Sequence, residues 1–164
     1  MHYKIRKPTQ SDLPALTQLW YEGWQVAHAA HVPASLIAIR TFDSFATRLS
    51  AHFGDTRVIG ENKALLGFCI TKGPEIYQIF VTPEAQGTGA AAALITDGLD
   101  RICDQSYTAA KLDVNPNNHR AIAFYAKMGW QQKAVETIML DTLTDPFPLP
   151  CLVMIKNFKQ FIIC

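Results

Sequence analysis

A glycine-containing segment between a strand pattern and a helix pattern constrains the fold of this chain most. Residues 75–81 read as a β-strand, Pro83 ends it, and residues 88–103 form an alanine-rich helix pattern. The connecting segment, residues 81–92, reads VTPEAQGTGAAA. Small residues let the backbone turn tightly and let a ligand come close, and a helix start offers unpaired N–H groups. The segment therefore predicts either a phosphate- or pyrophosphate-binding loop or a tight turn in which the glycines serve only the bend.

Two phosphate-binding interpretations of this loop compete. Residues 87–92 satisfy the loose dinucleotide pattern, and Asp113 lies roughly where the ribose acid could be. However, the first glycine does not follow the strand directly, and too few residues remain for the second half of a dinucleotide-binding fold. A Walker A loop is excluded, because no Lys-Ser or Lys-Thr pair follows the glycines. The other interpretation is the spacing Gln86-x-x-Gly89-x-Ala91, preceded by VTPE.

A second motif lies downstream, where a strand pattern over residues 109–114 leads into a turn and a short helix pattern. Residues 115–130 read NPNNHRAIAFYAKMGW. An asparagine at a helix start can cap the helix and also reach a ligand. A tyrosine two turns along carries a phenol that is protonated at neutral pH and can donate a proton. Asn118 and Tyr125 are therefore candidate functional residues, although a plain helix cap and a half-buried core aromatic would give the same pattern.

Together the two segments resemble the GNAT (Gcn5-related N-acetyltransferase) superfamily. Its acyl-CoA loop, Gln/Arg-x-x-Gly-x-Gly/Ala, is matched by Gln86, Gly89 and Ala91. The positions of its second signature are filled by Asn118, Ala121, Tyr125, Gly129 and Trp130. The departure is Trp130, where phenylalanine is commoner. By element order the resemblance covers roughly residues 55–157, and the N-terminal helices fit the family's layout without a specific motif.

The resemblance implies an α/β (α+β) fold: a mixed central sheet with helices on both faces and two adjacent parallel strands splayed apart. The length suits one domain, and we read residues 1–164 as a single acetyltransferase domain. The other elements predicted from periodicity are strands at 2–7, 56–60, 64–70, 130–141 and 150–157, a helix with apolar positions from Leu13 to Ala27, and helices at 41–52 and 119–128.

In this family an acetyl group passes from acetyl-CoA directly to a primary amine, and the resemblance implies the same activity here. The backbone of Phe80 and Val81 would pair with the pantetheine arm, and Asn118 would also bind the acyl-CoA. Arg120 or Lys127 could contact the adenosine end. The pyrophosphate would bind the loop residues Gln86, Gly87, Thr88, Gly89, Ala90 and Ala91.

The chemistry needs a base for the acceptor amine and an acid for the departing CoA sulfur. Glu75 occupies a family base position, six residues before Val81, and Tyr125 occupies the position of the acid. Tyr77 shares the strand face of Glu75, and the pair could polarise water. The other interpretation of Glu75 is an exposed residue after a turn.

The acceptor pocket is expected between the N-terminal helices and the last two strands. Tyr21, His28 and Tyr77 are its candidate binding residues, whereas Trp20 and Trp24 share the apolar stripe of the core. Glu136, Asp141 and residues 145–150 are further candidates. A small amine, an amino acid or a protein N-terminus would each fit. A non-catalytic acyl-CoA sensor or regulatory module is the alternative function, and a nucleotide-binding dehydrogenase domain is a third.

The composition of the chain limits the classes of partner that we expect the protein to bind. Lysine and arginine total 15 against 14 acidic residues, a near-neutral balance that disfavours nucleic-acid binding. No apolar run approaches the roughly 20 residues that span a bilayer, and the N-terminus has no secretory pattern. The cysteines Cys69, Cys103, Cys151 and Cys164 are widely spaced. We expect free thiols, a cytoplasmic location and no metal. A homodimer could use the terminal strands or the apolar tail, residues 158–164, although that tail could equally pack on its own domain.

Overall fold

The computed structural model describes residues 3–61 and 63–159. Its helices are α1 (Leu13–His28), α2 (Ala34–Ile39), α3 (Phe42–Ala51), α4 (Ala90–Asp104) and α5 (His119–Lys127). Its strands are β1 (Ile5–Arg6), β2 (Thr56–Glu61), β3 (Ala64–Lys72), β4 (Glu75–Val81), β5 (Ala109–Val114), β6 (Gln131–Leu140) and β7 (Phe147–Asn157). Within the described ranges these strands form one seven-stranded sheet in the order β1-β2-β3-β4-β5-β7-β6. The pair β4–β5 is parallel and the other neighbouring pairs are antiparallel.

Alternation along the central strands builds a separate apolar core on each face of the sheet. Val58 and Phe68 point to the face that α1 and α3 cover. Their chain neighbours Ile59 and Cys69 point to the face that α4 covers. Because side chains on a strand alternate in direction, one run of apolar residues supplies both cores. The expected mixed sheet with helices on both faces is confirmed.

The strands β4 and β5 diverge soon after they meet. Their register holds only Glu75 opposite Lys111, and the Lys111 N–H donates to the carbonyl of Pro74 at 3.0 Å. On its other side, β5 pairs with β7 over its whole length, from Ala109 to Val114. The backbone of β4 that faces β5 is therefore left without a strand partner, as the splayed arrangement predicts.

Most element predictions agree with the structure, and the differences have local causes. Helix α2 was not predicted, because its six residues are too few to show a periodic stripe. Helix α4 begins at Ala90 instead of residue 88, because Gly89 takes a left-handed φ of +91° and caps it. Strand β7 begins at Phe147, earlier than the predicted residue 150, because it pairs with β6 as far as Leu140.

Several further expectations can be compared with this fold. The dinucleotide interpretation is wrong, since such folds need a largely parallel sheet. Cys69, Cys103 and Cys151 are free thiols. Across the described ranges, no helix combines the length and apolar character needed to cross a bilayer. Residue 2 of the first predicted strand, Cys164 and the tail from residue 160 onward lie outside the described residues.

Candidate active site

A cleft of about 1020 Å³ opens where β4 and β5 diverge. The cleft is lined by residues of α1, of β4 and β5, of α5, and of the β6–β7 pair. The cleft brings together nine of the residues that the sequence singled out, namely Tyr21, His28, Glu75, Tyr77, Phe80, Val81, Gln86, Asn118 and Tyr125. Residues from widely separated parts of the chain therefore share one cavity.

The glycine loop follows β4 and continues beyond the lining of the cleft. Gly87 and Gly89 have φ values of +75° and +91°, which residues with a Cβ rarely adopt. No described atom lies within 4 Å of where a Cβ would stand on either glycine, so a ligand has room to approach. Ala90 begins α4, with its side chain buried in the core. Glycine at positions 87 and 89 therefore allows the turn and also leaves the space next to the loop open.

Hydrogen bonds within the loop limit which amides can bind an anion. The N–H of Gln86 donates to the carbonyl of Pro83, and the N–H of Thr88 donates to that of Ala85, both at 3.3 Å. The Thr88 hydroxyl also donates to Ala85. Of the six loop residues predicted to bind pyrophosphate, this leaves the amide of Gly87 in the loop and those of Gly89, Ala90 and Ala91 at the start of α4.

A positive charge lies beside this loop although the loop carries none itself. Arg120, in the first turn of α5, donates from Nη1 to the Gln86 side-chain oxygen at 2.6 Å. Asn118 caps the same helix, and its side-chain oxygen accepts from the Ala121 N–H at 3.2 Å. The Arg120 bond thereby connects the second motif to Gln86, the first residue of the Gln-x-x-Gly-x-Ala pattern.

Helix α1 approaches β4 closely where Gly23 faces Phe80. A Cβ on Gly23 would lie 2.7 Å from the Phe80 ring. Phe80 is also stacked on Phe68, and its ring centroid lies 6.2 Å from that of His28. Burial lowers the pKa of His28 to about 4, so its imidazole is neutral at pH 7. Around Gly23 the wall of the cleft is therefore aromatic, and His28 adds no charge to it.

Glu75 lies at the point where β4 and β5 still touch. Burial raises the pKa of its carboxyl to about 7, and the nearby Asp113 carboxylate raises it while Lys111 and Lys72 oppose the rise. Among the described residues the buried Asp113 Oδ1 has no hydrogen-bond partner. Two carboxylates and two lysines thus set the charge at this end of the cleft.

Tyr125 lies on α5 with 8% of its surface exposed. Its ring packs against Phe124 and Trp130, with centroid distances of 5.4 and 6.1 Å. Burial raises the pKa of its phenol above the ordinary value, so the hydroxyl is protonated at neutral pH. The phenol in the lining of the cleft therefore carries a proton at pH 7.

The acceptor side of the cleft contains charges that the sequence analysis missed. Arg48 donates to the Tyr77 hydroxyl at 3.0 Å, and Arg40 donates to the Asp141 carbonyl at 2.6 Å. The sequence contained one signal that Arg48 is buried: it lies three residues after Phe45 and therefore on the same, buried face of α3. Among the further candidates, Asp141 and Leu149 line the cleft. The expectation for Glu136 is wrong, because it is exposed on β6 and pairs with Lys133 at 3.3 Å.

Known proteins share both the sequence pattern and the fold. Residues 29–140 match the family model described as an acetyltransferase (GNAT) domain. A mycothiol acetyltransferase of Paenarthrobacter aurescens is 42% identical over 76 residues, which are 40% of this chain and 24% of that protein. An uncharacterised N-acetyltransferase of Mycobacterium bovis is 34% identical over 86 residues, 52% of this chain and 54% of that protein. The chain thus spans about a quarter to a half of the length of these curated relatives.

Solved structures match over nearly the whole chain at low identity. A GCN5-related N-acetyltransferase of Rhodopseudomonas palustris has a TM-score of 0.74 at 20% identity, covering 96% of this chain and 97% of its own. The PaiA N-acetyltransferase of Thermoplasma acidophilum, solved with coenzyme A, has a TM-score of 0.68 at 18% identity, covering 96% and 100%. These likenesses show the fold, and the family model covers most of the chain. The chain therefore belongs to the GNAT acetyltransferase family.

Proposed function

We propose that this protein transfers an acetyl group from acetyl-CoA to a primary amine. The observation that carries the proposal is the gap between β4 and β5, which leaves one edge of β4 unpaired inside a cleft. The glycine loop follows β4 at one end of that gap, Glu75 begins β4 at the other, and Tyr125 is part of the lining of the same cleft. The coenzyme A in the Thermoplasma acidophilum relative supports the choice of donor.

The residues along the cleft fit such a donor. The unpaired backbone near Phe80 and Val81 offers hydrogen-bonding groups to an extended amide-containing arm. The amides of Gly87, Gly89, Ala90 and Ala91 bind the pyrophosphate at the positive end of the α4 dipole. Arg120 adds a charge beside Gln86. Acetyl-CoA supplies the activated thioester, and the described residues supply its positioning.

Glu75 and Tyr125 carry the proton transfers. Glu75 takes a proton from the acceptor ammonium, directly or through water, so that the amine can attack. A base with a pKa about 7 is half ionised at neutral pH and matched to that task. As the C–S bond breaks, Tyr125 gives its phenolic proton to the departing thiolate, and the proton that leaves the nitrogen of the new amide restores the phenol. Tyr77, Tyr21 and the neutral His28 surround the acceptor in the aromatic part of the cleft.

The remaining expectations belong to the same proposal. We take residues 1–164 as one catalytic domain that acts in the cytoplasm, where the three free thiols persist. Dimer formation through the terminal strands has some support in β6, an edge strand that exposes Val135 and Met139. No metal, nucleic acid or membrane takes part in the proposed reaction.

Calorimetric titration with acetyl-CoA, with NAD as a parallel control, tests the donor. We expect micromolar binding of acetyl-CoA and none of NAD. Thiol release from acetyl-CoA in the presence of a panel of primary amines then tests transfer. Binding without release for any amine would favour the sensor alternative, and no binding of acetyl-CoA would overturn the proposal.

A further inference from the structure

Two buried arginines line the acceptor side of the cleft. Arg40 lies between α2 and α3 and Arg48 lies on α3, and only 4% and 7% of their surfaces are exposed. We call them the arginine pair. Arginine is seldom buried this far unless its charge has a partner. The burial of the pair therefore needs an explanation, and the proton transfers proposed for Glu75 do not provide one.

The hydrogen bonds of the arginine pair are incomplete. Arg48 donates from Nη2 to the Tyr77 hydroxyl at 3.0 Å, and Arg40 donates from Nη1 to the Asp141 carbonyl at 2.6 Å. Arg48 Nε, Arg48 Nη1 and Arg40 Nε are buried without a partner anywhere in residues 3–61 and 63–159. A guanidinium has five N–H donors in a rigid fork, so several donors of the pair are unpaired within the described residues.

The nearby Asp141 carboxylate raises the pKa of Arg40 by its charge, but within the described residues it forms no salt bridge with the arginine pair. Asp141 Oδ2 accepts from Lys72 Nζ at 3.1 Å, and only the Asp141 backbone carbonyl accepts from Arg40. Arg48 instead lies over the Trp20 ring, 4.5 Å from its centroid. Burial and then the charge of Arg48 lower the pKa of Arg40 to about 10, as expected for two close cations. This part of the cleft thus holds three cationic side chains and one carboxylate.

We propose that the arginine pair binds a carboxylate of the acceptor, so that the amine substrate is an amino-carboxylate. This rests on the proposed function. A planar carboxylate can accept two parallel N–H bonds from a guanidinium, which supplies both charge and geometry. Tyr77 connects the pair to the reacting end of the cleft, because it bonds to Arg48 and lies two residues from Glu75 on β4. A bound acceptor has its carboxylate at the arginine pair and its amine towards Glu75.

Matched acceptors test the class of substrate. The assay is thiol release from acetyl-CoA with amino acids against their amides, γ-aminobutyrate against butylamine, and phosphoethanolamine against ethanolamine. We expect kcat/KM to be at least about tenfold higher for the carboxylated member of the best pair, mainly through KM. Equal rates within the pairs, or a preference for the phosphorylated amine, would overturn the inference.

Variants of the arginine pair test the residues. Arg48→Gln and Arg40→Gln should each lower kcat/KM for the carboxylated acceptor by about 10- to 100-fold and leave its neutral partner nearly unchanged. Arg48→Lys, which keeps the charge and loses the fork, should fall between wild type and Arg48→Gln. The matched control is Arg57→Gln, because Arg57 bonds to the carbonyls of Gly54 and Thr56 outside the cleft. An equal loss for both acceptors would indicate a structural role and would contradict the inference.

The two proposals fail in different ways. Absence of acetyl-CoA binding by calorimetry would refute the proposed function. Acetyl-CoA binding with turnover of neutral amines alone would refute only the carboxylate inference. If acetyl-CoA binds and no amine turns over, the carboxylate inference is tested by the melting temperature of the protein in the presence of CoA. Amino acids should then raise it in wild type but not in Arg48→Gln, and no rise with any carboxylated amine would again refute the inference.

Discussion

Glu75 illustrates how position on a strand can tune one side chain. It begins β4, where that strand still pairs with β5, so the neighbouring strand places Lys111 and Asp113 beside it. Partial burial withdraws water from its carboxylate, and the Asp113 charge adds repulsion. Both effects favour the protonated form and bring the pKa to about 7, where a base can accept and release protons near neutral pH.

Replacing Asp113 should shift the pH dependence of the reaction. Asp113→Asn removes a negative charge that disfavours ionised Glu75, so the pKa of Glu75 falls. The rising limb of kcat/KM against pH, centred near pH 7 in wild type, should then move to lower pH. The measurement is kcat/KM for one fixed amine at half-unit intervals from pH 5 to 9.

Glu136→Gln is the matched control, since Glu136 is an exposed carboxylate paired with Lys133 on the surface. Its profile should coincide with that of wild type. Two results would exclude Glu75 as the base. One is a pH profile of kcat/KM whose rising limb does not move in Asp113→Asn, and the other is a rising limb that is unchanged in Glu75→Gln.

Tyr125 makes a separate prediction, because its proton is needed only when the thiolate departs. Tyr125→Phe keeps the ring that packs on Trp130 and removes the hydroxyl. We expect kcat to fall about 10- to 10⁴-fold, with the affinity for acetyl-CoA by calorimetry unchanged. Tyr107→Phe, at a tyrosine outside the cleft lining, should retain full activity. A Tyr125→Phe enzyme with normal kcat would exclude the phenol as the acid.

At the scale of elements, the connection from β4 to α4 forms the pyrophosphate end of the proposed donor site. Gly89 caps α4 with a left-handed φ, and the space above it is open. Gly89→Glu places a negative side chain where the pyrophosphate is expected, so repulsion and bulk oppose binding together. We expect acetyl-CoA affinity to fall at least about 100-fold by calorimetry, since the loss combines a charge clash with blocked amides.

Two further variants separate strain from blockage in this loop. Gly89→Ala strains the same φ without adding charge, and it should weaken binding less than Gly89→Glu does. Gly54→Glu adds the same charge at an open position away from the loop and should bind normally. Normal affinity in Gly89→Glu would mean that the loop is only a turn.

Elements with a clear period or a strong boundary could be predicted from the sequence, and others could not. The bounds of β4 and β5 agree with the predictions. Pro74 stands directly before β4, Pro83 lies two residues after its end, and Asn115 directly follows β5. Helix α2 has too few residues for a period, and the start of β7 depends on its register with β6. Register is a tertiary property, so the local pattern around Phe147 carries no signal for it.

At the scale of the whole molecule, the motif residues were predictable and the arginine pair was not. Gln86, Asn118 and Tyr125 lie within contiguous motifs, which fix their spacing before any folding. Arg40 and Arg48 meet Tyr77 and Asp141 only when the N-terminal helices pack across the sheet. The residues of the proposed donor site can therefore be read from local sequence, whereas the proposed acceptor site is formed only by long-range packing.

The same packing links catalysis to the stability of the fold. In the unfolded chain Glu75 has its ordinary pKa near 4.5, and in the folded protein its pKa is about 7. The folded state therefore binds the proton more tightly, and this contribution to stability is fully present below pH 4.5. It is lost as the pH rises through 7, because the ionised carboxylate is poorly solvated in the cleft.

Glu75→Gln should consequently make the protein more stable at high pH while it abolishes the base. The variant and wild type should have similar free energies of unfolding at pH 4, apart from a constant offset. The difference should grow in favour of the variant by about 1–2 kcal/mol at pH 8, a value reduced because Glu75 is partly solvated. Urea unfolding at a series of pH values measures it, with Glu136→Gln as the control that should show no such trend. Parallel curves for Glu75→Gln and wild type would contradict the raised pKa, and with it the link between this strand position and the proposed base.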